Sequence, residues 1–160
     1  MNRVLAVGAL AIIGLAAPAQ AEISTEAAHA AVAPFYKALN AEFAKDSPDL
    51  IKQATAPDWV SCRSNDDCNT RDQVIAGIGQ RLKSGPDLKW EIKEVLVSGN
   101  QVTVRGEATG TPAGDFMGAS HSGKSFKVMS IDVHTLEGDK MVRSYHIEDW
   151  MGAVRQLTAK

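Results

Sequence analysis

The sequence has little net charge, and its charged residues are not gathered in any one segment. Seventeen basic and nineteen acidic residues leave a formal net charge of −2 over 160 residues. A protein that binds nucleic acid through the phosphate backbone needs a concentrated basic face, which this chain lacks. We therefore expect no nucleic acid among its partners.

Motifs that hold metals, nucleotides or catalytic nucleophiles are also missing. The four histidines form no H-x-x-x-H or H-E-x-x-H pattern, and only two cysteines are present. Gly77 and Gly79 stand in a helical pattern and lack the preceding strand and third glycine of a dinucleotide site. No Walker motif or nucleophile elbow occurs. The sequence predicts neither a metal nor an organic cofactor.

Long apolar runs are absent except at the N terminus, where residues 4–17 follow Arg3 and precede Ala19-Gln20-Ala21. The run is short for a membrane span, and the A-x-A ending is typical of a signal peptide. We predict that residues 1–21 are cleaved and that residues 22–160 form one periplasmic or secreted domain, not attached to the membrane. A retained N-terminal anchor is the alternative. The remaining length suits a single domain, and no linker divides it.

The two cysteines, Cys62 and Cys68, stand in a polar segment that can turn back on itself. In an oxidising compartment they are expected to pair. Their spacing is not that of a C-x-x-C redox motif, and the segment has too few ligands for zinc. We predict a structural disulfide, worth about 2 kcal/mol for so short a loop.

The first part of the domain has helical periodicity. One apolar face is formed by Val32, Phe35, Tyr36, Leu39 and Phe43. Pro34 either lies in the first turn of this helix or kinks one that begins near Glu26. Ser47-Pro48 predicts the cap and first residue of a second helix, and Thr70–Gln73 has the form of a capping box that opens a third.

The rest of the domain alternates with a period of two. Residues 88–92 and 102–106 predict an antiparallel hairpin, and two further strands are predicted at about 124–136 and 140–147. A short amphipathic helix follows. Helices first and a meander afterwards predict an α+β domain, in which a curved antiparallel sheet packs on the long N-terminal helix.

The C-terminal third carries an ordered series of short motifs. They are G-x-x-x-G-x-F-x-G at 110–118, S-G-K at 122–124, I-D at 131–132, G-x-K-x-V at 138–142 and D-x-x-x-x-x-x-Q-L at 149–157. In this order the chain resembles the SnoaL-like polyketide cyclase, or ester cyclase, branch of the NTF2-like superfamily. The resemblance implies a cone-shaped, cystatin-like α+β fold with an apolar pocket, and a homodimer, since relatives often dimerise. Relatives carry Glu and His where this chain has Arg143 and Ser144.

The resemblance also implies a candidate catalytic group. Asp149 stands at the family's acidic position, where the residue acts as general base and acid in an intramolecular aldol closure. His134 and His146 lie on adjacent predicted strands, and Asp132 shares a strand face with His134. A water-poor site can raise the proton affinity of a carboxylate, and an imidazole can hold an enolate oxygen. Asp149 can equally be a helix cap, and His146 an exposed strand residue.

Aromatic side chains are candidates for the pocket wall, unless they serve only as core. They are Tyr36, Trp59, Trp90 and Phe116, with Asp132 as a polar contact. Two functions fit these features. One is an exported enzyme that catalyses an aldol-type cyclisation or an isomerisation; the other is a non-catalytic carrier or sensor of a small, largely apolar molecule.

Overall fold

A computed structural model describes residues 23–160, so the predicted signal peptide lies outside the described residues. In chain order the elements are helix α1 (Thr25–Ala38), α2 (Ser47–Ala54), strands β1 (Thr55–Cys62) and β2 (Cys68–Thr70), α3 (Arg71–Ser84), β3 (Lys89–Ser98), β4 (Gln101–Gly110), β5 (Phe126–Glu137), β6 (Lys140–Glu148) and α4 (Trp150–Thr158). No helix in this part of the chain is both long and apolar enough to cross a membrane.

The six strands form one curved, open sheet in the order β2-β1-β6-β5-β4-β3. Strands β3 to β6 make the predicted antiparallel meander, and β1 pairs antiparallel with β2. The α+β class is therefore confirmed. One part of the sheet differs from the expectation, because β1 runs parallel to β6. The long connection through α3 and the hairpin allows this, since parallel neighbours need a crossover rather than a tight turn.

Helix α1 begins early, and it ends before Leu39 and Phe43, the last two residues of the predicted apolar face. The Ser24 hydroxyl accepts a hydrogen bond from the Ala27 amide, and Pro34 lies inside the helix, as in the second of the two alternatives. Phe43 was wrongly placed on this helix, because it belongs to a separate 3-10 turn. Asn40 explains the early end: its amide group donates to the Tyr36 carbonyl at 2.7 Å and accepts from the Trp90 amide at 2.8 Å, tying α1 to β3.

Local signals placed the other helix starts to within one residue. Thr70 and Gln73 form the predicted capping box of α3. Ser47 is the first residue of α2 rather than its cap. Asp46 is at the cap position, and its side chain makes no capping hydrogen bond. The predicted disulfide between Cys62 and Cys68 is present, and it joins β1 to β2 at a register pair.

The core lies between α1 and the sheet face that it covers, and β5 shows how that face is composed. Every second side chain of β5 points inward and is buried: Phe126, Val128, Ser130, Asp132, His134 and Leu136. Apolar residues occupy the two ends of this row, and three polar residues occupy its middle. Buried polar side chains are costly unless they are paired, so the middle of β5 is where a site is expected.

Candidate functional site

Strand register joins the polar middle of β5 to a second polar row on β6. The Cα partners are Ser130 with Glu148, Asp132 with His146, and His134 with Ser144. Directly opposed residues of an antiparallel pair project from the same face of the sheet. Six polar side chains therefore meet on the inner face, although they come from two segments of the sequence.

A cavity of about 140 Å³ opens over these rows, between the sheet and helices α1 and α3. Its apolar wall includes Phe35, Leu39, Val74, Ile78 and Trp90. Arg63, Arg81, His146 and Glu148 line both this cavity and a wider outer recess of about 440 Å³. These four residues therefore form the mouth. A cavity of about 150 Å³ accommodates benzene, so the inner space suits one small ring or chain.

Asp132 is the acid at the base of the cavity. It is 5% exposed, and its Oδ2 accepts a hydrogen bond from the Ser130 hydroxyl at 3.3 Å. Burial raises the pKa of Asp132 to about 7; the Tyr36 and Ser130 hydroxyls and His146 oppose this rise, and the charge of Glu148 adds to it. The carboxyl group is therefore poised to gain or lose a proton near neutral pH.

His134 lies beneath Asp132 in a buried chain of hydrogen bonds. The Trp59 indole donates to Ser144 Oγ at 2.9 Å, Ser144 Oγ lies 2.7 Å from His134 Nδ1, and His134 Nε2 lies 3.0 Å from the Tyr36 hydroxyl. Burial, with a smaller effect of the nearby His146, lowers the pKa of His134 to about 3, so the ring is neutral at physiological pH.

The neutral ring carries one proton, on either Nδ1 or Nε2. An indole N–H can only donate, so Ser144 Oγ accepts from Trp59; because Met141 Sδ at 4.0 Å can take the Ser144 proton, Ser144 Oγ can either donate to His134 Nδ1 or accept from it. The other ring nitrogen correspondingly donates to the Tyr36 oxygen or accepts from the phenol. Burial raises the pKa of Tyr36 well above its ordinary value, so the phenol keeps its proton. Each described member of the chain has a partner.

His146 and Glu148 form a pair at the mouth, with His146 Nδ1 at 2.9 Å from Glu148 Oε1. Burial lowers the pKa of His146, but the hydrogen bond and charge of Glu148 outweigh burial and raise it above its ordinary value. The same bond holds the pKa of Glu148 below its ordinary value against the effect of burial. The second oxygen of Glu148 accepts from the Trp150 indole at 3.2 Å. The other ring nitrogen of His146 has no hydrogen-bond partner among residues 23–160.

The cavity does not include Asp149. Its Oδ1 accepts the Gly152 amide at 2.7 Å, its Oδ2 lies 3.5 Å from Arg155, and its side chain is 53% exposed. This geometry supports the helix-cap alternative. Of the candidate site residues, Asp132, His134, His146 and Trp90 line the cavity.

The other aromatic candidates have different positions. Tyr36 and Trp59 are buried beneath the cavity as members of the hydrogen-bond chain. Phe116 lines the outer recess and packs on Phe126 and Trp150, with ring centroids 5.7 and 5.8 Å apart.

Several polar members of the site were not among the candidates, including Ser130, Ser144, Glu148 and Arg81. The alternation that places Asp132 and His134 on one face of β5 also places Ser130 there. The same alternation on β6 places Ser144, His146 and Glu148 on one face. Arg81 had no comparable signal, because it comes from α3. Within residues 23–160, no three His, Cys, Asp or Glu side chains are arranged to hold a metal ion.

The family model for SnoaL-like polyketide cyclases matches residues 31–157. The chain belongs to this family. This family of NTF2-like fold binds small-molecule ligands, so membership supports a ligand-binding function. A search of proteins with curated functions found no match.

Solved structures of this fold resemble the chain over most of its length. A protein from Jannaschia sp. CCS1, described as a SnoaL-like polyketide cyclase, is 20% identical with a TM-score of 0.70, covering 91% of this chain and 97% of its own. IdmH from Streptomyces antibioticus, a proposed polyketide cyclase, is 19% identical with a TM-score of 0.70, covering 81% and 97%. AclR from Streptomyces galilaeus, a proposed hydroxylase, is 23% identical with a TM-score of 0.69, covering 84% and 97%. At these identities the similarity shows the fold alone.

Proposed function

We propose that the SnoaL-like protein is an acid/base enzyme that forms an enolate from a small carbonyl compound, leading to aldol-type cyclisation or isomerisation. The observation that carries this proposal is Asp132, a buried carboxyl group with a pKa of about 7 at the base of a cavity that has one apolar wall. General bases work best when their pKa lies near the working pH. Asp132 takes the role that the sequence suggested for Asp149.

The proposed reaction begins when the Asp132 carboxylate removes a proton from a carbon next to a carbonyl group. The C–H electron pair becomes a new C=C bond, the C=O π pair moves to the carbonyl oxygen, and the Nε2–H of protonated His146 donates to the resulting enolate oxygen. In a cyclisation, the enolate carbon attacks a second carbonyl of the same molecule, and the new alkoxide takes the proton from Asp132. In an isomerisation, the proton returns to another carbon. His134 acts through Tyr36 as a positioning residue.

Exchange of ketone α-protons for deuterium tests the shared first step. Cyclohexanone and 2-pentanone fit the cavity in size, exchange slowly on their own, and can be followed by NMR in deuterated buffer. We expect the wild-type protein to accelerate exchange and Asp132→Asn to lower the rate by about 100-fold or more. Asp149→Asn is the matched control, since Asn still caps a helix.

Equal rates for the wild type and Asp132→Asn would remove Asp132 from the mechanism. Absence of exchange, together with a small molecule retained through purification and detected by native mass spectrometry, would favour the carrier or sensor function instead. Loss of exchange in Asp149→Asn with a normal fold would restore the role that the sequence suggested for Asp149.

The protein is further proposed to act in the periplasm or outside the cell. The Cys62–Cys68 disulfide supports this location, because such bonds persist in oxidising compartments. Mass spectrometry of the protein from its own host tests it. A mature chain that begins at Glu22 is expected, whereas a cytoplasmic chain that begins at Met1 would contradict the proposal.

A homodimer is also proposed, through the outer face of the sheet. This face exposes Met129, Ile131, Tyr145 and Ile147, which are neighbours on β5 and β6. Exposed clusters of apolar side chains commonly mark association surfaces. Light scattering is expected to give twice the chain mass, and Ile147→Lys is expected to give a monomer. A wild-type monomer at high concentration would contradict this.

A further inference from the structure

We propose that the substrate of this site carries a carboxylate, which Arg81 binds at the mouth while the reacting carbonyl lies inside the cavity. The inference rests on the proposed function for the reaction, but the binding that it predicts can be measured without turnover. It assigns a role to a residue that neither the motifs of the sequence nor the acid/base chemistry uses.

Arg81 has an unused set of hydrogen-bond donors. Its guanidinium lies 5.3 Å from the centre of the Trp150 ring. Arg81 is exposed, and this cation–π contact leaves its N–H donors available. Among residues 23–160, its side chain makes no hydrogen bond and no ion pair. A guanidinium with free donors matches the two oxygens of a carboxylate.

The other charged groups of the mouth are already paired. Arg63 donates to Asp67 Oδ2 through two nitrogens, at 3.1 and 2.8 Å. Both oxygens of Glu148 are occupied, one by His146 and the other by the Trp150 indole. Arg81 is therefore the mouth residue with free donors, although its charge already helps to lower the pKa of Glu148 from a distance.

The position of Arg81 sets the orientation of the ligand. Arg81 lines both the inner cavity and the outer recess, so it stands where a molecule would pass from one to the other. A carboxylate placed deeper would meet Asp132, whose burial already disfavours negative charge there. A carboxylate at Arg81 leaves the remainder of the ligand against Phe35, Ile78 and Trp90, above Asp132.

Arg81 also has a simpler structural role to exclude. It stands in the last turn of α3, where a positive charge is favourable, and it packs on Trp150. A purely structural arginine would affect neutral and anionic ligands alike. Selectivity for the anion is therefore the readout that separates the two roles.

The test uses benzoate and its neutral isostere benzamide, titrated against the oxidised full domain and followed by tryptophan fluorescence and NMR. We expect benzoate to bind about tenfold more tightly than benzamide, as for a charge-assisted hydrogen-bonded pair. Arg81→Met is expected to remove this preference while leaving benzamide affinity unchanged, and Arg81→Lys to keep part of it. Lys83→Met, which removes a positive charge from the same last turn of α3 outside the cavity lining, is the matched control and is expected to retain the preference.

Three results would overturn the inference: equal binding of the two ligands by the wild type, no detectable binding of either, or equal loss of the benzoate preference in Arg81→Met and Lys83→Met. Thermal unfolding of each variant shows whether it is folded. Benzoate binding tests the carboxylate site, and ketone exchange tests the proposed enzyme activity. Arg81-dependent benzoate binding without exchange would count against the enzyme alone, and exchange without benzoate preference would count against the carboxylate alone.

Discussion

Replacement of Asp132 by asparagine should stabilise the protein at alkaline pH, although it removes the proposed catalytic acid. Burial raises the pKa of Asp132 from an ordinary 3.8 to about 7. Between these two pH values the folded protein keeps the proton of Asp132, whereas the unfolded chain has released it. Stability therefore falls as pH rises through this window. At 1.36 kcal/mol per pKa unit, the full shift corresponds to roughly 4 kcal/mol above pH 7.

Asparagine stays neutral at every pH and can still accept the hydrogen bond from Ser130. Its added N–H donors need partners, and an unsatisfied donor costs about 1 to 3 kcal/mol. The expected net gain for Asp132→Asn over wild type is therefore about 1 to 3 kcal/mol at pH 8, whereas at pH 4, where wild-type Asp132 is protonated, only the cost of the added donors is expected. The gain should disappear steadily as the pH is lowered from 7 to 4.

Urea unfolding followed by circular dichroism, at pH values from 4 to 8, measures this difference directly. Asp139→Asn is the control, since its carboxylate lies in an exposed turn with 81% of the side chain accessible. The pH dependence of that variant should follow the wild type. A constant difference between Asp132→Asn and wild type over this range would refute the assignment of a raised pKa to Asp132.

Three further variants probe the surroundings of the acid. Ser144→Ala leaves an indole and an imidazole without their shared buried partner, and it should lower the free energy of unfolding in urea by about 2 kcal/mol. Gly106→Ala would place a Cβ 2.5 Å from the Ser130 hydroxyl, and it should cost about 1 to 3 kcal/mol in the same assay. Glu148→Gln should lower the pKa of His146 in an NMR titration, because the carboxylate is what raises it.

Each of these predictions has its own control and contrary result. Gly79→Ala adds a methyl group to open space within a helix, and it should be neutral or stabilising. If Gly106→Ala behaves in the same way, the close approach at Ser130 is not real. Unchanged stability of Ser144→Ala would mean that the hydrogen-bond chain adds nothing to the fold. An unmoved His146 titration in Glu148→Gln would show that another group raises its pKa.

Much of the fold follows from local patterns that a sequence carries on its own. The capping box at Thr70 opens α3 because its bonds close within four residues. The alternation along β5 places Asp132 and His134 on one face whatever lies opposite. By contrast, Phe43 looked helical by spacing, but Asn40 bonds to Trp90, fifty residues away, and ends α1 earlier. The parallel pairing of β1 with β6 likewise depends on a distant partner.

The sequence by itself determined the α+β class, the order of the elements and the family, because periodicity, caps and motifs are properties of short segments. Only the tertiary structure decided the site. It set the register that faces Asp132 with His146, brought Arg81 from α3 to the mouth, and left Asp149 outside the cavity as a cap. The physical reason is that a pKa and a binding geometry depend on burial and on neighbours in space, which residue spacing along the chain does not specify.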